Sequence, residues 1–155
     1  MALIKECRGF EPQIGEDCWI AENATLVGDL IIGNQCSVWF NAVIRADVNS
    51  IRIGNSVNIQ DGAVLHCTYE KTKVDIGDNV SIGHNALIHG CRIESNVLIG
   101  MGSIVMDNCY IESNTIVAAG AVLLEGTRVE SWSIYAGVPA KKAKALSKEL
   151  FQGEV

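Results

Sequence analysis

An aliphatic residue recurs at every sixth position along most of this chain, and this repeat constrains the fold more than any other feature. One run extends from Ile14 to Ile44 and another from Ile93 to Val129. Steps of nine and eleven residues interrupt the repeat after Ile44 and after position 65. A period of six is not helical, because apolar helix faces repeat every three to four residues. It is a multiple of the strand period of two, so it predicts short strands separated by turns.

The economical architecture for such strands is a triangular parallel β-helix with three hexads in each coil. The aliphatic residues point inward, and Gly, Asn and Asp occupy the turns between strands. About seven coils are expected, forming one β-helix domain over residues 1–138. After Pro139 the pattern changes to helix-forming residues, with Ala143, Leu146 and Leu150 at helical spacing. The sequence therefore predicts a C-terminal helix over 139–155 that packs on the β-helix.

The composition excludes several classes of function. The chain has a net charge of −6, and its short basic segment at 141–144 is not a nucleic-acid-binding surface. It contains no apolar run of the roughly 20 residues that cross a membrane. The N-terminal residues lack the pattern of a signal peptide, so a cytoplasmic protein with six reduced cysteines is expected.

All three histidines, His66, His84 and His89, fall within a short part of the chain. Stacking the hexads that begin at positions 44, 65 and 88 places His66 and His89 one coil apart on one side, in line with Arg45. Stacking those that begin at 59, 82 and 99 places His84 beside Asp61 on another side. His84 therefore cannot easily reach a metal held by the other two histidines of its own chain.

A neighbouring copy of the chain can supply the missing histidine. Three prisms packed around a threefold axis would form three identical sites, each with two histidines from one chain and one from the next. Three neutral imidazoles with one open position are typical of a catalytic divalent metal, which lowers the pKa of bound water to about 7 and generates a hydroxide nucleophile. One metal per subunit is expected, zinc first, with iron and cobalt as alternatives.

Three segments carry a resemblance to a known family: SVWFNAVIRAD (37–47), VNIQDGAVLH (57–66) and IGHNALIHG (82–90). With them, the chain resembles the gamma-class carbonic anhydrases over nearly its whole length. The resemblance implies a left-handed coil and a homotrimer that reversibly hydrates CO2 to bicarbonate by a metal-bound hydroxide at its subunit interfaces. It also implies metal ligation by His66, His84 and His89, with His84 supplied by the neighbouring subunit.

The resemblance assigns roles to further positions. Asn58 and Gln60 match polar residues near the metal-bound water, whereas Arg45 and Asp61 match a pair that bridges subunits beside the substrate. A structural ion pair is the alternative role for these two charged residues. Tyr135 occupies an aliphatic place of the repeat, so core packing is its default role and a position near the metal is the alternative.

The sequence departs from the active members of the family where protons are shuttled. Val48 replaces a glutamate, and the loop CTYEKTKVD (67–75) has few acids, so Tyr69 or Glu70 would have to substitute. Three other functions stay open: an acyl-CoA-dependent acyltransferase, a hydrolase of CoA thioesters, and a non-catalytic trimeric scaffold stapled by metal. Cys67 should face away from its neighbouring histidine, and Trp39 and Phe40 should pack at an interface or under the helix.

Overall fold

The computed structural model describes residues 1–151, in which short strands follow one another with few interruptions. The strands and the helix are β1 (Leu3–Lys5), β2 (Gln13–Ile14), β3 (Trp19–Ile20), β4 (Thr25–Ile32), β5 (Ser37–Val38), β6 (Val43–Ile53), β7 (Asn58–Ile59), β8 (Val64–His66), β9 (Val74–Ile76), β10 (Val80–Ile82), β11 (Leu87–His89), β12 (Arg92–Ile93), β13 (Val97–Ile99), β14 (Ile104–Val105), β15 (Tyr110–Ile111), β16 (Thr115–Val117), β17 (Val122–Leu123), β18 (Arg128–Val129), β19 (Ser133–Gly137), β20 (Ala140–Ala145) and α1 (Lys148–Phe151).

These strands form the three sides of a parallel solenoid. The first side contains β1, β8, β11, β14 and β17, the second contains β2, β9, β12, β15 and β18, and the third contains β3, β5, β7, β10, β13, β16 and β19. Strands β4 and β6 each bend through a corner and so contribute to both the first and the second side. The third side contributes one strand to each coil, so its seven strands define seven coils. The structure thus confirms the predicted number of about seven.

The pairing registers match the columns deduced from the hexads. On the first side Ile44 pairs with Leu65, and Leu65 pairs with Ile88. On the third side Ile82 pairs with its equivalents in β7 and β13. The inward aliphatic residues are almost entirely buried and form one continuous core along the solenoid axis.

The corners require residues that tolerate a positive φ or a close approach of the next coil. Asn41, Asn85 and Asn114 adopt φ values near +60°, a conformation that asparagine accepts more readily than most residues. Gly33 is required for a different reason, because a Cβ at that position would lie 2.6 Å from the carbonyl oxygen of Gly54 in the next coil. The coils therefore stack so closely at this corner that no side chain fits between them.

The two long steps of the repeat lie at the corner between the first and second sides. Ala46 and Ile51 of β6 pair with Gly28 and Leu30 of β4, so the residues between Ala46 and Ile51 bulge out of the ladder. In the next coil, residues 67–73 form a loop between β8 and β9. The bulge and the loop both lie next to His66, the last residue of β8, so they shape the surface around this histidine.

The tail differs from the predicted helix over 139–155. Residues Ala140–Ala145 form β20, which pairs antiparallel with β19, and α1 covers only Lys148–Phe151. Residues 152–155 lie outside the described residues. The unpaired edge of the last coil offers donors and acceptors that outweigh the intrinsic helix propensity of the tail. Lysines at 141, 142 and 144 then leave a charged outer edge on the sheet. Over residues 1–151, no helix has the length and apolarity needed to cross a membrane.

Candidate metal centre

His66 and His89 lie side by side on the first side of the solenoid. They are directly paired in the β8–β11 register, as their column assignment predicts. His66 Nδ1 lies 3.1 Å from His89 Nε2, and the two side chains are 18% and 31% exposed. The structure therefore brings two of the three predicted metal ligands together within one chain.

A carboxylate holds the other nitrogen of each ring. His66 Nε2 lies 3.0 Å from Asp47 Oδ1, and His89 Nδ1 lies 2.6 Å from Asp107 Oδ1. Carboxylates are acceptors, so each of these ring nitrogens carries the proton. In neutral imidazoles the two nitrogens that face each other then present lone pairs, and two lone pairs at this separation repel unless a cation lies between them.

The spacing of the facing nitrogens fits a shared metal ion. Two nitrogens bound at about 2.0–2.1 Å to a tetrahedral zinc lie roughly 3.3–3.4 Å apart, close to the 3.1 Å between His66 and His89. Histidine ligands in metalloproteins commonly donate their second N–H to a carboxylate, which fixes the tautomer and orientation of the ring. The donor set and its carboxylate partners thus meet the requirements of half a histidine metal site.

The electrostatic environment favours a neutral His66 and ionised carboxylates. Burial, aided by the charges of Arg45 and His89, lowers the pKa of His66 despite its bond to Asp47. Burial raises the pKa of Asp47, but hydrogen bonds from Arg45 and His66 outweigh it and leave that pKa below its ordinary value. The pKa of Asp107 is also lowered, because hydrogen bonds that it accepts outweigh its burial. Neutral imidazole is the form that binds metals.

His84 lies at a different corner, in the turn between β10 and β11. Its Nδ1 lies 3.0 Å from Asp61 Oδ2, and its side chain is 50% exposed. The Asp61 carboxylate thus lies within ion-pair distance of one ring nitrogen of His84. Across residues 1–151, no group of three His, Cys, Asp or Glu side chains closes around a metal position. One chain by itself therefore presents two ligands at one place and the third elsewhere.

The other predicted site residues are divided between this region and the core. Asn58 accepts a hydrogen bond of 3.2 Å from the Ser37 hydroxyl, and Gln60 is half-buried in the same column as Asp61 and His84. Arg45 and Asp61 do not pair within one chain, since Arg45 binds Asp47 and Asp61 binds His84. Their bridging role between subunits stays a prediction.

Tyr135 lies in the core, as the default role predicts. Its side chain is 8% exposed, and its hydroxyl donates to the Arg128 carbonyl at 3.4 Å. The structure therefore places Tyr135 with the last coil and not with the histidines. Its alternative role near the metal has no support from the contacts of the described residues.

Asp47 and Asp107 were not predicted from the sequence as partners of the histidines. Asp47 lies in the quoted RAD segment two residues after Arg45, but the nine-residue step hid its position relative to His66. Asp107 occupies the third place of the hexad that begins at Val105, which stacks on the hexad of His89. An acid in the coil next to a histidine column is the signal that could have identified it.

The cysteines supply no additional ligand. Cys67 is fully buried, opposite to the direction of His66, and burial together with the Asp47 charge raises the pKa of its thiol to about 11. All six cysteines are unpaired thiols, including Cys18 and Cys36, which stack one coil apart.

Comparison with known proteins identifies the family. The model of the family described as bacterial transferase hexapeptide (six repeats) matches residues 11–46 and 90–125. A protein of Methanocaldococcus jannaschii named "Probable carbonic anhydrase" is 56% identical over 136 residues, which covers 88% of this chain and 85% of the relative. Gamma carbonic anhydrase 2, mitochondrial, of Arabidopsis thaliana is 38% identical over 145 residues, which covers 89% of this chain. The chain belongs to the gamma-class carbonic anhydrase family.

Membership in the gamma-class carbonic anhydrase family agrees with the fold. The chain spans 51% of the Arabidopsis relative, so that protein contains as much sequence again outside the matched region. The crystal structure of a hexapeptide transferase family protein from Anaplasma phagocytophilum superposes with a TM-score of 0.93 at 36% identity. The superposition covers 97% of this chain and 89% of that protein. The solenoid is thus shared by proteins whose names refer to different chemistries.

Proposed function

We propose that this protein reversibly hydrates CO2 to bicarbonate in a homotrimer that binds one divalent metal, zinc first, at each subunit interface. His66 and His89 of one chain and His84 of its neighbour would hold each metal. The observation that carries the proposal is the facing pair of imidazole nitrogens, 3.1 Å apart. Each ring of the pair has a carboxylate hydrogen-bonded to its other nitrogen. Asp61 lies 3.0 Å from Nδ1 of the separate His84. Names of relatives support the reaction.

The residues around the histidines would orient the site and admit the reactants. A bound divalent metal supplies a nucleophile by lowering the pKa of water, so this chain need not provide a nucleophilic side chain. Gln60 directly precedes Asp61 at the corner of His84, and Asn58 lies on the adjoining strand β7, so both would present amide groups that can orient a reactant between subunits. Arg45, whose side chain is half-exposed, places a positive charge beside Asp47 and His66 and would attract bicarbonate.

The corner that carries His84 supports a contact with a second copy of the chain. Phe40, Asp61, His84 and Met101 occupy successive coils of this corner, since the turns are joined by backbone bonds from one coil to the next. Met101 is 58% exposed, and Phe40 is also exposed. An apolar groove of about 310 Å³ lies beside His89. Apolar side chains beside the donated histidine thus match an apolar groove beside the accepting pair.

Proton release is the step for which this chain is poorly equipped. Val48 packs against the core and cannot accept a proton, although it directly follows the Asp47 that holds His66. Tyr69 is exposed beneath the Arg8 guanidinium, 5.3 Å from its ring, and Glu70 is exposed in the same loop. These two side chains are the proton acceptors that the loop offers in place of the missing glutamate, and turnover should be modest.

The test is stopped-flow CO2 hydration by protein loaded with zinc, cobalt or, without oxygen, iron, beside a His84→Ala control. Turnover that disappears in His84→Ala supports the proposal. Tight metal binding without turnover under any of these conditions would refute CO2 hydration and favour a metal-stapled scaffold. Saturable binding of acetyl-CoA by a protein without hydration activity would instead favour an acyltransferase or a thioester hydrolase.

A further inference from the structure

The Asp107 carboxylate is held from two directions, by a histidine and by the loop after β8. Asp107 Oδ1 lies 2.6 Å from His89 Nδ1. The Thr68 hydroxyl donates to Asp107 Oδ2 at 2.5 Å, and the Thr72 hydroxyl lies 3.4 Å from Oδ1. Both oxygens of the carboxylate are therefore engaged, and their direction is fixed by groups outside the histidine pair.

The loop after β8 is closed by internal hydrogen bonds, in addition to those that it makes to Asp107. The backbone N–H of Thr68 donates to the Thr72 hydroxyl at 2.9 Å, and the backbone N–H of Thr72 donates to the Thr68 carbonyl at 3.2 Å. Thr72 is almost fully buried although it is polar. A buried hydroxyl is retained where its hydrogen bonds are satisfied, so this threonine pair forms an ordered support for the carboxylate.

Gly90 leaves the space that the carboxylate and the threonine occupy. Its φ of +54° favours glycine, and a Cβ built there would overlap both Asp107 Oδ1 and Thr72 Oγ1. The residue directly after His89 thus has no side chain because this network fills the volume. Two separated segments of the chain, 68–72 and 89–90, thus converge on the carboxylate of Asp107.

We propose that Asp107 is a positioning residue that fixes His89 with Nδ1 protonated and Nε2 directed at the metal, and that Thr68 and Thr72 hold it in place. The inference rests on the proposed function, since the metal is what Nε2 would bind. An accepting carboxylate on Nδ1 selects the tautomer whose lone pair is on Nε2, and Nε2 is the atom that faces His66. The loop after β8 thereby becomes part of the metal centre without touching the metal.

The experiment compares Asp107→Ala and Asp107→Asn with Asp78→Ala as the matched control. Asp78 is an acid that accepts a corner backbone N–H, from Asn55 at 2.7 Å, and so its loss also weakens the fold. The first measurement is the His89 tautomer in metal-free protein, by long-range ¹H–¹⁵N correlation at pH 7.5. The second is zinc affinity, by competition with a chromophoric chelator.

Wild type and Asp78→Ala should show Nδ1–H at His89, and Asp107→Ala should lose that preference. Zinc affinity should fall about 10- to 100-fold in Asp107→Ala, the usual effect of removing such a partner, and less in Asp107→Asn, whose amide oxygen can still accept the N–H. An unchanged tautomer in Asp107→Ala overturns the proposal, as does an equal loss of zinc affinity in Asp78→Ala. If wild type binds no zinc, the proposed function fails, but the tautomer in metal-free protein still decides the role of Asp107.

Discussion

Two inactive variants, mixed as subunits of one trimer, should regain activity if His84 is donated between chains. In the proposed trimer, His66→Ala removes a ligand that a chain would contribute to its own site. His84→Ala removes the ligand that a chain would contribute to its neighbour. The structure separates these residues, because His66 pairs with His89 whereas His84 binds Asp61 on another corner. Neither variant alone can form a complete site, but a mixed trimer can.

The size of the recovery follows from the geometry. In a closed ring of three chains, each interface joins different surfaces of two chains, so each site takes the His66–His89 pair from one chain and His84 from the next. In a random equal mixture, a site has its His66 with a probability of one half and its donated His84 with the same probability. About one quarter of the sites should then be complete, with a specific activity about one quarter of wild type.

The assay uses the two variants unfolded together, refolded with zinc, and measured by stopped-flow CO2 hydration and by tightly bound zinc per chain. The matched control is a mixture of His66→Ala and His89→Ala, which should recover nothing, because both ligands come from the same chain. A His66→Ala and His84→Ala mixture no more active than its separate components would refute a shared site, provided that wild type refolds with activity. Equal recovery in the control mixture would also refute it.

Three further predictions concern proton release, packing and pH. Because Val48 cannot accept a proton, kcat for hydration should rise with imidazole buffer concentration while kcat/KM stays constant, and a kcat independent of buffer would contradict this. Gly33→Ala should lower the free energy of unfolding in urea by about 1–3 kcal/mol or more, because its Cβ would meet a carbonyl of the next coil at 2.6 Å. The control is Gly102→Asn, which should leave the free energy of unfolding nearly unchanged, because nothing lies within 4 Å of a Cβ there and asparagine tolerates the φ of +67°. Equal losses of stability in the two variants would contradict the steric explanation. The hydrogen bond from Arg92 lowers the pKa of Glu94 below its ordinary 4.5. The ionised carboxylate therefore stabilises the fold above pH 4.5, and this contribution is lost as the pH falls through the lowered pKa. Glu94→Gln should cost more stability at neutral pH than in acid, and a loss in urea denaturation that does not depend on pH would contradict this.

The columns of the solenoid could be predicted because a period of six sets two things at once. It determines which residues point inward, and it determines which residues of successive coils lie above one another. Ile44, Leu65 and Ile88 were assigned to one column across both interruptions, and their pairing registers agree. The separation of His84 from the other histidines followed from the same reasoning. The hand of the coil does not follow from the period and rests on the family resemblance.

The tail could not be predicted from its own residues. Residues 140–145 have high helix propensity, but propensity is a local preference of fractions of a kcal/mol per residue. The competing partner is the unpaired edge of β19, which exists only once seven coils have formed. The helix survives where that edge ends, at Lys148–Phe151, and there Phe151 packs against Trp132 with ring centroids 5.8 Å apart.

Three of the four side chains that support the candidate metal centre, Asp47, Thr68 and Thr72, lie where the repeat is broken, and this explains why they were missed. A strict hexad can leave no room for a side chain at a corner, as the close stacking at Gly33 shows. The nine-residue step instead brings Asp47 to His66, and the eleven-residue step brings Thr68 and Thr72 to the carboxylate that holds His89. Periodicity can position only the residues that obey it, so it placed the histidines but not these supports. In this solenoid the outward positions of regular hexads carry the histidines and Asp107, whereas the departures from the repeat add the residues that bind them.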